Sequence, residues 1–314
     1  MKKSIIWFAV AFVVIVGIGL YFLLNMKGNN SNPSPATQTP PVQTQENQPP
    51  ATQPETTPAA LQTTAPENKD VEVIGKSVAA RDITAYHFGT GDKEILLVGG
   101  IHGGYSWNTA LLGYQLVDYF KANPSTIPAN IKVTIIPVLN PDGLSKVVDA
   151  TGVFKASDVS TSQTALVAGR FNANTVDLNR NFDCGWKATG VWQSKTVSGG
   201  TAAFSEPESA AIRDYTQAHK MTAVVGFYSS GGGVYSSSCT GILPETQTIT
   251  DLYAAASGYT AYKNFASYQV SGDMTDWFSK TGVPAIGVLL TTANDTELDK
   301  NEAGINSLLQ HYAQ

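Results

Sequence analysis

Cysteine is scarce in this chain. There are two in 314 residues, Cys184 and Cys239, with no Cys-x-x-Cys pair, which excludes a metal site built from clustered thiolates. Basic runs are missing as well. Twenty Lys and Arg stand against twenty-five Asp and Glu, for a net charge of −5. With no Lys/Arg-rich patch, nucleic acid is not an expected partner. Residues 28–70 have little aliphatic content and little charge, being mostly Asn, Pro, Thr and Gln. Such a stretch cannot bury enough apolar surface to offset its ordering entropy, and its prolines favour extended conformations. It is expected to be a disordered linker.

One long hydrophobic run is present. Residues 4–24 are uncharged and rich in Ile, Val, Phe and Leu, after Met1-Lys2-Lys3. About twenty apolar residues span a bilayer as a helix. A cleaved signal peptide would have a shorter apolar region ending in small residues. This run ends instead in Tyr21-Phe22-Leu23-Leu24-Asn25-Met26-Lys27, with no lipobox cysteine. Residues 1–27 are therefore expected to be a short cytoplasmic tip and an uncleaved, single-pass transmembrane anchor. Lys2 and Lys3 favour a cytoplasmic N-terminus. Residues 71–314 would then lie outside the cytoplasm, extracellular or periplasmic. That compartment permits a Cys184–Cys239 disulfide, the alternative being two free thiols.

Residues 71–314 are of a size suited to one α/β domain. Residues 94–99 form a continuous apolar run bounded by glycine, as a buried parallel strand does. Residues 71–73, 83–88, 131–139, 221–227 and 283–290 also read as strands. Residues 109–119, 206–219, 243–257, 276–280 and 299–312 read as helices, and 145–200 as loop. The alternation argues for an open, mostly parallel but mixed twisted sheet flanked by helices. Sites in such folds form at the carboxyl ends of strands, so the loops after Gly99, Leu139, Phe227 and Leu290 are where chemistry is expected.

The first of these loops is Gly99-Gly100-Ile101-His102-Gly103-Gly104. Further on come Asn140-Pro141-Asp142-Gly143, then 169–183 (Gly-Arg-Phe-Asn-Ala-Asn-Thr-Val-Asp-Leu-Asn-Arg-Asn-Phe-Asp), Phe204-Ser205-Glu206-Pro207-Glu208, and Tyr268-Gln269-Val270-Ser271-Gly272 leading to Asp276-Trp277. In this order the set resembles the zinc carboxypeptidases of the carboxypeptidase A type, over nearly all of 75–314. The resemblance implies that fold and gives each position a role. His102 matches the first zinc ligand, and Asp177 the carboxylate that orients it. Arg170 matches the arginine that polarises the scissile carbonyl. Asn179 and Arg180 match the pair that grips the substrate's C-terminal carboxylate, a task suited to a planar guanidinium. Tyr268 matches the tyrosine that closes over the peptide.

Three positions depart from that pattern. The family's first ligand motif is His-x-x-Glu, and here Tyr105 stands at the Glu position, followed by Ser106. Tyr228 stands where the third ligand, a His, belongs. The general-base Glu is replaced by Leu289 or Leu290. Catalytic zinc sites use three protein ligands and one open position, so zinc, implied by the family, is not expected to bind here. Without metal or base there is no activated water. The favoured reading is a pseudo-peptidase holding peptide or peptidoglycan C-termini without hydrolysis. One alternative is an active zinc metallocarboxypeptidase with a rearranged metal site using Asp273, Asp295 or Glu297. Another is a non-catalytic adhesion or structural module on a stalk.

Overall fold

The computed structural model describes residues 70–149 and 152–314. The expected membrane anchor and most of the expected linker fall outside them. Among the described residues no helix is long and apolar enough to cross a membrane.

The described residues form ten strands: β1 (Val71–Lys76), β2 (Asp82–Phe88), β3 (Lys93–Val98), β4 (Ile131–Ile136), β5 (Thr189–Trp192), β6 (Lys195–Ser198), β7 (Met221–Ser229), β8 (Gly233–Ser236), β9 (Thr260–Tyr262) and β10 (Ala285–Leu290). Eight of them make one sheet in the order β1-β2-β4-β3-β7-β10-β8-β9, while β5 and β6 pair separately. The central ladders β4-β3, β3-β7 and β7-β10 are parallel, and β1-β2, β2-β4 and β10-β8 are antiparallel. The sheet is mixed: its middle ladders are parallel, where helices cover both faces, and the edge pair β8-β9 is parallel too.

The helices are α1 (Trp107–Ala122), α2 (Pro141–Leu144), α3 (Gln163–Ala168), α4 (Pro207–Ala218), α5 (Pro244–Ser257), α6 (Met274–Lys280) and α7 (Leu298–Ala313). Each long helix meets the sheet through apolar residues at helical spacing. Leu112, Leu116 and Phe120 of α1, Ile249 and Tyr253 of α5, and Ile305 and Leu308 of α7 pack on one face of the sheet. Ile212 and Tyr215 of α4 and Met274 and Phe278 of α6 pack on the other. Alternation sorts the strand residues: Ile95 and Leu97 of β3 join the first core, Leu96 and Val98 the second. Pro207 occupies the first turn of α4, where its missing N–H costs nothing.

The β5–β6 hairpin and α3 lie in the stretch read as loop, and β8 and β9 in stretches assigned no element. The β5–β6 hairpin is polar and half exposed, and β8 and β9 are only four and three residues long. Strands that short carry no readable alternation; pairing with β10 and β8 makes them strands. The hairpin matters most, because it folds over the carboxyl-end loops.

Candidate functional site

A cavity of about 620 Å3 opens at the carboxyl ends of the central strands. His102 reaches it from the turn after β3. That turn is tight enough to require glycine: Gly103 has φ +40°, and a Cβ there would lie 2.7 Å from the Gly143 backbone. The His102 ring is 6% exposed, and neither ring nitrogen has a hydrogen-bond partner among the described residues. Its Nε2 stands 3.5 Å from Asp177 Oδ1, too long for a good hydrogen bond. Burial, with the nearby Arg170 charge, brings its pKa down to about 4, so the imidazole is neutral at pH 7.

Asp177 is fully buried and serves Arg170 first. Arg170 Nε and Nη2 both donate to Asp177 Oδ2, at 2.9 and 2.8 Å. Burial alone would raise the Asp177 pKa, but Arg170 and the facing imidazole hold it well below the usual carboxylate range. The Arg170 guanidinium also stacks over Trp192 at 4.5 Å, and Tyr105 meets the same indole edge-on at 4.8 Å. Arg170 thus lines the cavity as an ion-paired, aromatic-covered group.

Arg180 is disposed differently. It is 1% exposed and lines the cavity. Nη1 donates to Asn179 O at 2.6 Å, and Nη2 and Nε to Val191 O at 2.7 and 3.3 Å. Among the described residues it has no carboxylate partner. Gly190 of β5 lies against its aliphatic stem, where a Cβ would come within 2.8 Å of Arg180 Cδ. The Tyr268 ring is 5.9 Å away. Asn179 gives its side-chain amide to Asp273 Oδ2 at 2.7 Å, and its Oδ1 accepts the Met274 N–H at 3.0 Å. The predicted pair therefore divides: Arg180 keeps donors for a ligand, while Asn179 spends its side chain on the start of α6.

At the other family positions the structure resolves one ambiguity. Leu289 faces Tyr228 in the parallel β10–β7 register, and both line the cavity. Leu290 points the opposite way, into the core beneath α1, α5 and α7. Of the two leucines, Leu289 is the one that faces the cavity. The Tyr228 ring stands 5.9 Å from the His102 ring. Ser106 stands at the N-cap position of α1, its hydroxyl buried and making no cap hydrogen bond.

These groups do not fit a zinc site, because one imidazole, a phenol, a hydroxyl and a leucine side chain cannot supply three ligands. Among the described residues no group of three or more His, Cys, Asp or Glu could hold a metal ion. The acids after β10 do not repair this. Neither Asp295 nor Glu297 lines the cavity. Glu297 is taken by Thr291, Tyr259 and Lys300.

Two contributors were given no site role by the sequence. Trp192 sits in the hairpin read as loop and carries no motif. Asp276 lines the cavity beside Asp273, but Asp-x-x-Asp at a helix start reads simply as capping. Cys184 and Cys239 are joined in a disulfide, Cα–Cα 5.7 Å, next to Ser238, whose N–H donates to Asp276 Oδ1 at 2.7 Å.

The zinc carboxypeptidase family model (Peptidase M14) matches residues 55–305. The chain belongs to that family. It is 27% identical over 224 residues to gamma-D-glutamyl-L-diamino acid endopeptidase 1 of Lysinibacillus sphaericus, covering 65% of this chain and 56% of that protein. It is 29% identical over 122 residues to human (Homo sapiens) carboxypeptidase D, covering 35% of this chain and 8% of that one. The chain therefore spans little more than half of the first relative and far less of the second. Among solved structures, Helicoverpa armigera carboxypeptidase A matches with a TM-score of 0.58 and 21% identity, covering 77% of this chain and 66% of that one. The murein-tripeptide amidase MpaA of Escherichia coli O157 matches with a TM-score of 0.53 and 19% identity, covering 76% and 91%. At those identities the likeness is one of fold.

Proposed function

We propose that this domain binds peptides, including peptidoglycan stem peptides, by their free C-terminal carboxylate and does not hydrolyse them. Arg180 carries the reading. A guanidinium 1% exposed, open to a cavity and without a counter-ion among the described residues is costly unless a ligand supplies the anion. Its two remaining N–H groups suit a carboxylate. Tyr268 beside it would cover the bound end. The donor set around His102 supports the non-hydrolytic half, since it offers neither three zinc ligands nor a carboxylate base. A sequence relative named as a gamma-D-glutamyl-L-diamino acid endopeptidase and a structural neighbour named as a murein-tripeptide amidase support the peptidoglycan stem as the ligand class. The disulfide supports a location outside the cytoplasm, with residues 1–27 as the membrane anchor and 28–70 as the stalk.

Calorimetry on the full-length chain tests the binding half. Peptides with free C-termini should bind at least tenfold more tightly than their amides, and equal affinity would end the reading. Metal analysis tests the other half. Family membership favours the rival, a zinc peptidase with an altered site, and stoichiometric zinc in the purified chain would establish it.

A further inference from the structure

The β5–β6 hairpin stands outside the eight-stranded sheet, and within 189–198 only Trp192 and Val197 are buried. Its base is tied to Asp177, whose N–H donates to the Ser198 carbonyl at 3.0 Å. Its tip reaches both arginines of the cavity. Trp192 lies under the Arg170 guanidinium at 4.5 Å. The Val191 carbonyl accepts from Arg180 Nη2 at 2.7 Å and from Nε at 3.3 Å. Asp177 joins the two contacts, because its carboxylate pairs with Arg170 and its carbonyl accepts the Arg180 N–H at 2.8 Å.

Gly190, in the middle of this arrangement, is not explained by its backbone. Its φ lies outside the left-handed region, so any residue could take that conformation. A Cβ at 190 would meet Arg180 Cδ at 2.8 Å and Arg180 Cγ and Nε at 3.2 Å each, and these are the three nearest atoms. Glycine weakens a strand interior and often marks a close approach. Here the approach is made by the stem of one arginine.

The guanidinium at the end of that stem is fixed as well. Nη1 donates to Asn179 O at 2.6 Å, while Nη2 and Nε share the Val191 carbonyl. Arginine has five N–H groups, so one remains on each of Nη1 and Nη2. The hairpin occupies the Nε edge of the fork and leaves the Nη groups for a ligand.

Resting on the carboxylate reading above, we infer that the β5–β6 hairpin is the positioning element of the carboxylate site, with Gly190 and Val191 setting the aim of Arg180. A guanidinium recognises a carboxylate through paired, directional hydrogen bonds, so its orientation matters as well as its charge. Coupling of this kind is reciprocal. If the seated hairpin favours a free C-terminus, a bound free C-terminus favours the seated hairpin. A C-terminal amide brings no anion to Arg180 and leaves the hairpin as it was.

Calorimetry and amide hydrogen exchange on the full-length chain test this. The probes are acetyl-Ala-Ala and its C-terminal amide, with the last residue in L and D forms. The wild type should bind the free acid at least tenfold more tightly than the amide, in one epimer or both. Gly190→Ala pushes on the Arg180 stem and should cut that ratio below threefold. Thr196→Ala, at an exposed position of β6, should keep it. Exchange over residues 189–198 should slow with the free acid and not with the amide. Alanine suits a strand backbone better than glycine, so Gly190→Ala should fold; if it does not, the exchange measurement decides. A Gly190→Ala variant that still discriminates tenfold overturns the inference and leaves the carboxylate reading standing. So does hairpin exchange that responds alike to acid and amide. If the wild type binds acid and amide equally, or binds no probe, the carboxylate reading falls and this inference falls with it.

Discussion

Tyr228 and Leu289 lie side by side across the parallel β7–β10 ladder, and both line the cavity that His102 enters. By the resemblance in sequence, they and Tyr105 are expected to stand where the family's pattern has a ligand, a base and a second ligand. Substituting all three should therefore convert the site. The variant Tyr105→Glu, Tyr228→His and Leu289→Glu should bind zinc near one equivalent, read by metal analysis after dialysis. Tyr228→His alone should not, because two imidazoles still fall short of three ligands. A triple variant that folds and stays metal-free would show that the donors do not converge.

Arg170 and Asp177 form a buried ion pair at 2.8 Å. Removing one partner strands the other away from water, which costs about 3–5 kcal/mol in buried pairs. Asp177→Asn should lower unfolding free energy by that order, measured by urea titration. Exposed pairs give about 0–1 kcal/mol, and Lys280→Ala, which breaks the exposed bridge to Asp183, is the control.

Arg180→Ala should abolish discrimination between free and amidated C-termini. A charge-assisted hydrogen bond contributes about 1.5–3 kcal/mol, a loss of roughly tenfold or more in affinity for the free acid. Affinity for the amide should change little. Calorimetry on both peptides reads the difference directly.

The acidic end of the cavity gives a pH dependence whose sign follows from the raised Asp276 pKa. A carboxyl whose folded-state pKa lies above its unfolded value is favoured when protonated. Its contribution is full below the unfolded value, near 3.8, and is lost as pH rises to about 7. The groups facing it are Asp273, on the same helix, with Tyr228 and Arg180 across the cavity. Asp276→Asn removes the buried charge and should raise stability at pH 8 by about 1–2 kcal/mol, roughly 3–6 °C in Tm. The gain should shrink towards pH 5. Thermal melts at both pH values check it, and an equal gain at both would contradict the assignment.

The Cys184–Cys239 bond closes a loop of 55 residues. In the chain-entropy account this contributes about 4 kcal/mol. Cys184→Ser should lower stability by up to that amount. It should also loosen the acidic end of the cavity, because Cys239 adjoins the Ser238 N–H that holds Asp276.

The sequence by itself determined the order of the central strands and helices, because buried parallel strands are long apolar runs and covering helices carry a 3.6-residue stripe. It determined the family resemblance too, and the identities at each motif position, since those are properties of residues in order. It could not say whether Leu289 or Leu290 faces the site, because both are apolar; the pleat of β10 against β7 decided that. It could not distinguish the two arginines. Tertiary structure gave Arg170 to Asp177 and Trp192 and left Arg180 without an anion, largely through the β5–β6 hairpin, whose Val191 carbonyl and Trp192 ring reach them from a stretch with no readable pattern. Nor could sequence show that Asp276, ordinary in a helix's first turn, would stand beside Asp273 in the cavity, with no basic side chain in ion-pair distance of either among the described residues. Charge pairing depends on which groups the folded chain brings within a few ångströms, and spacing along the chain does not specify that distance.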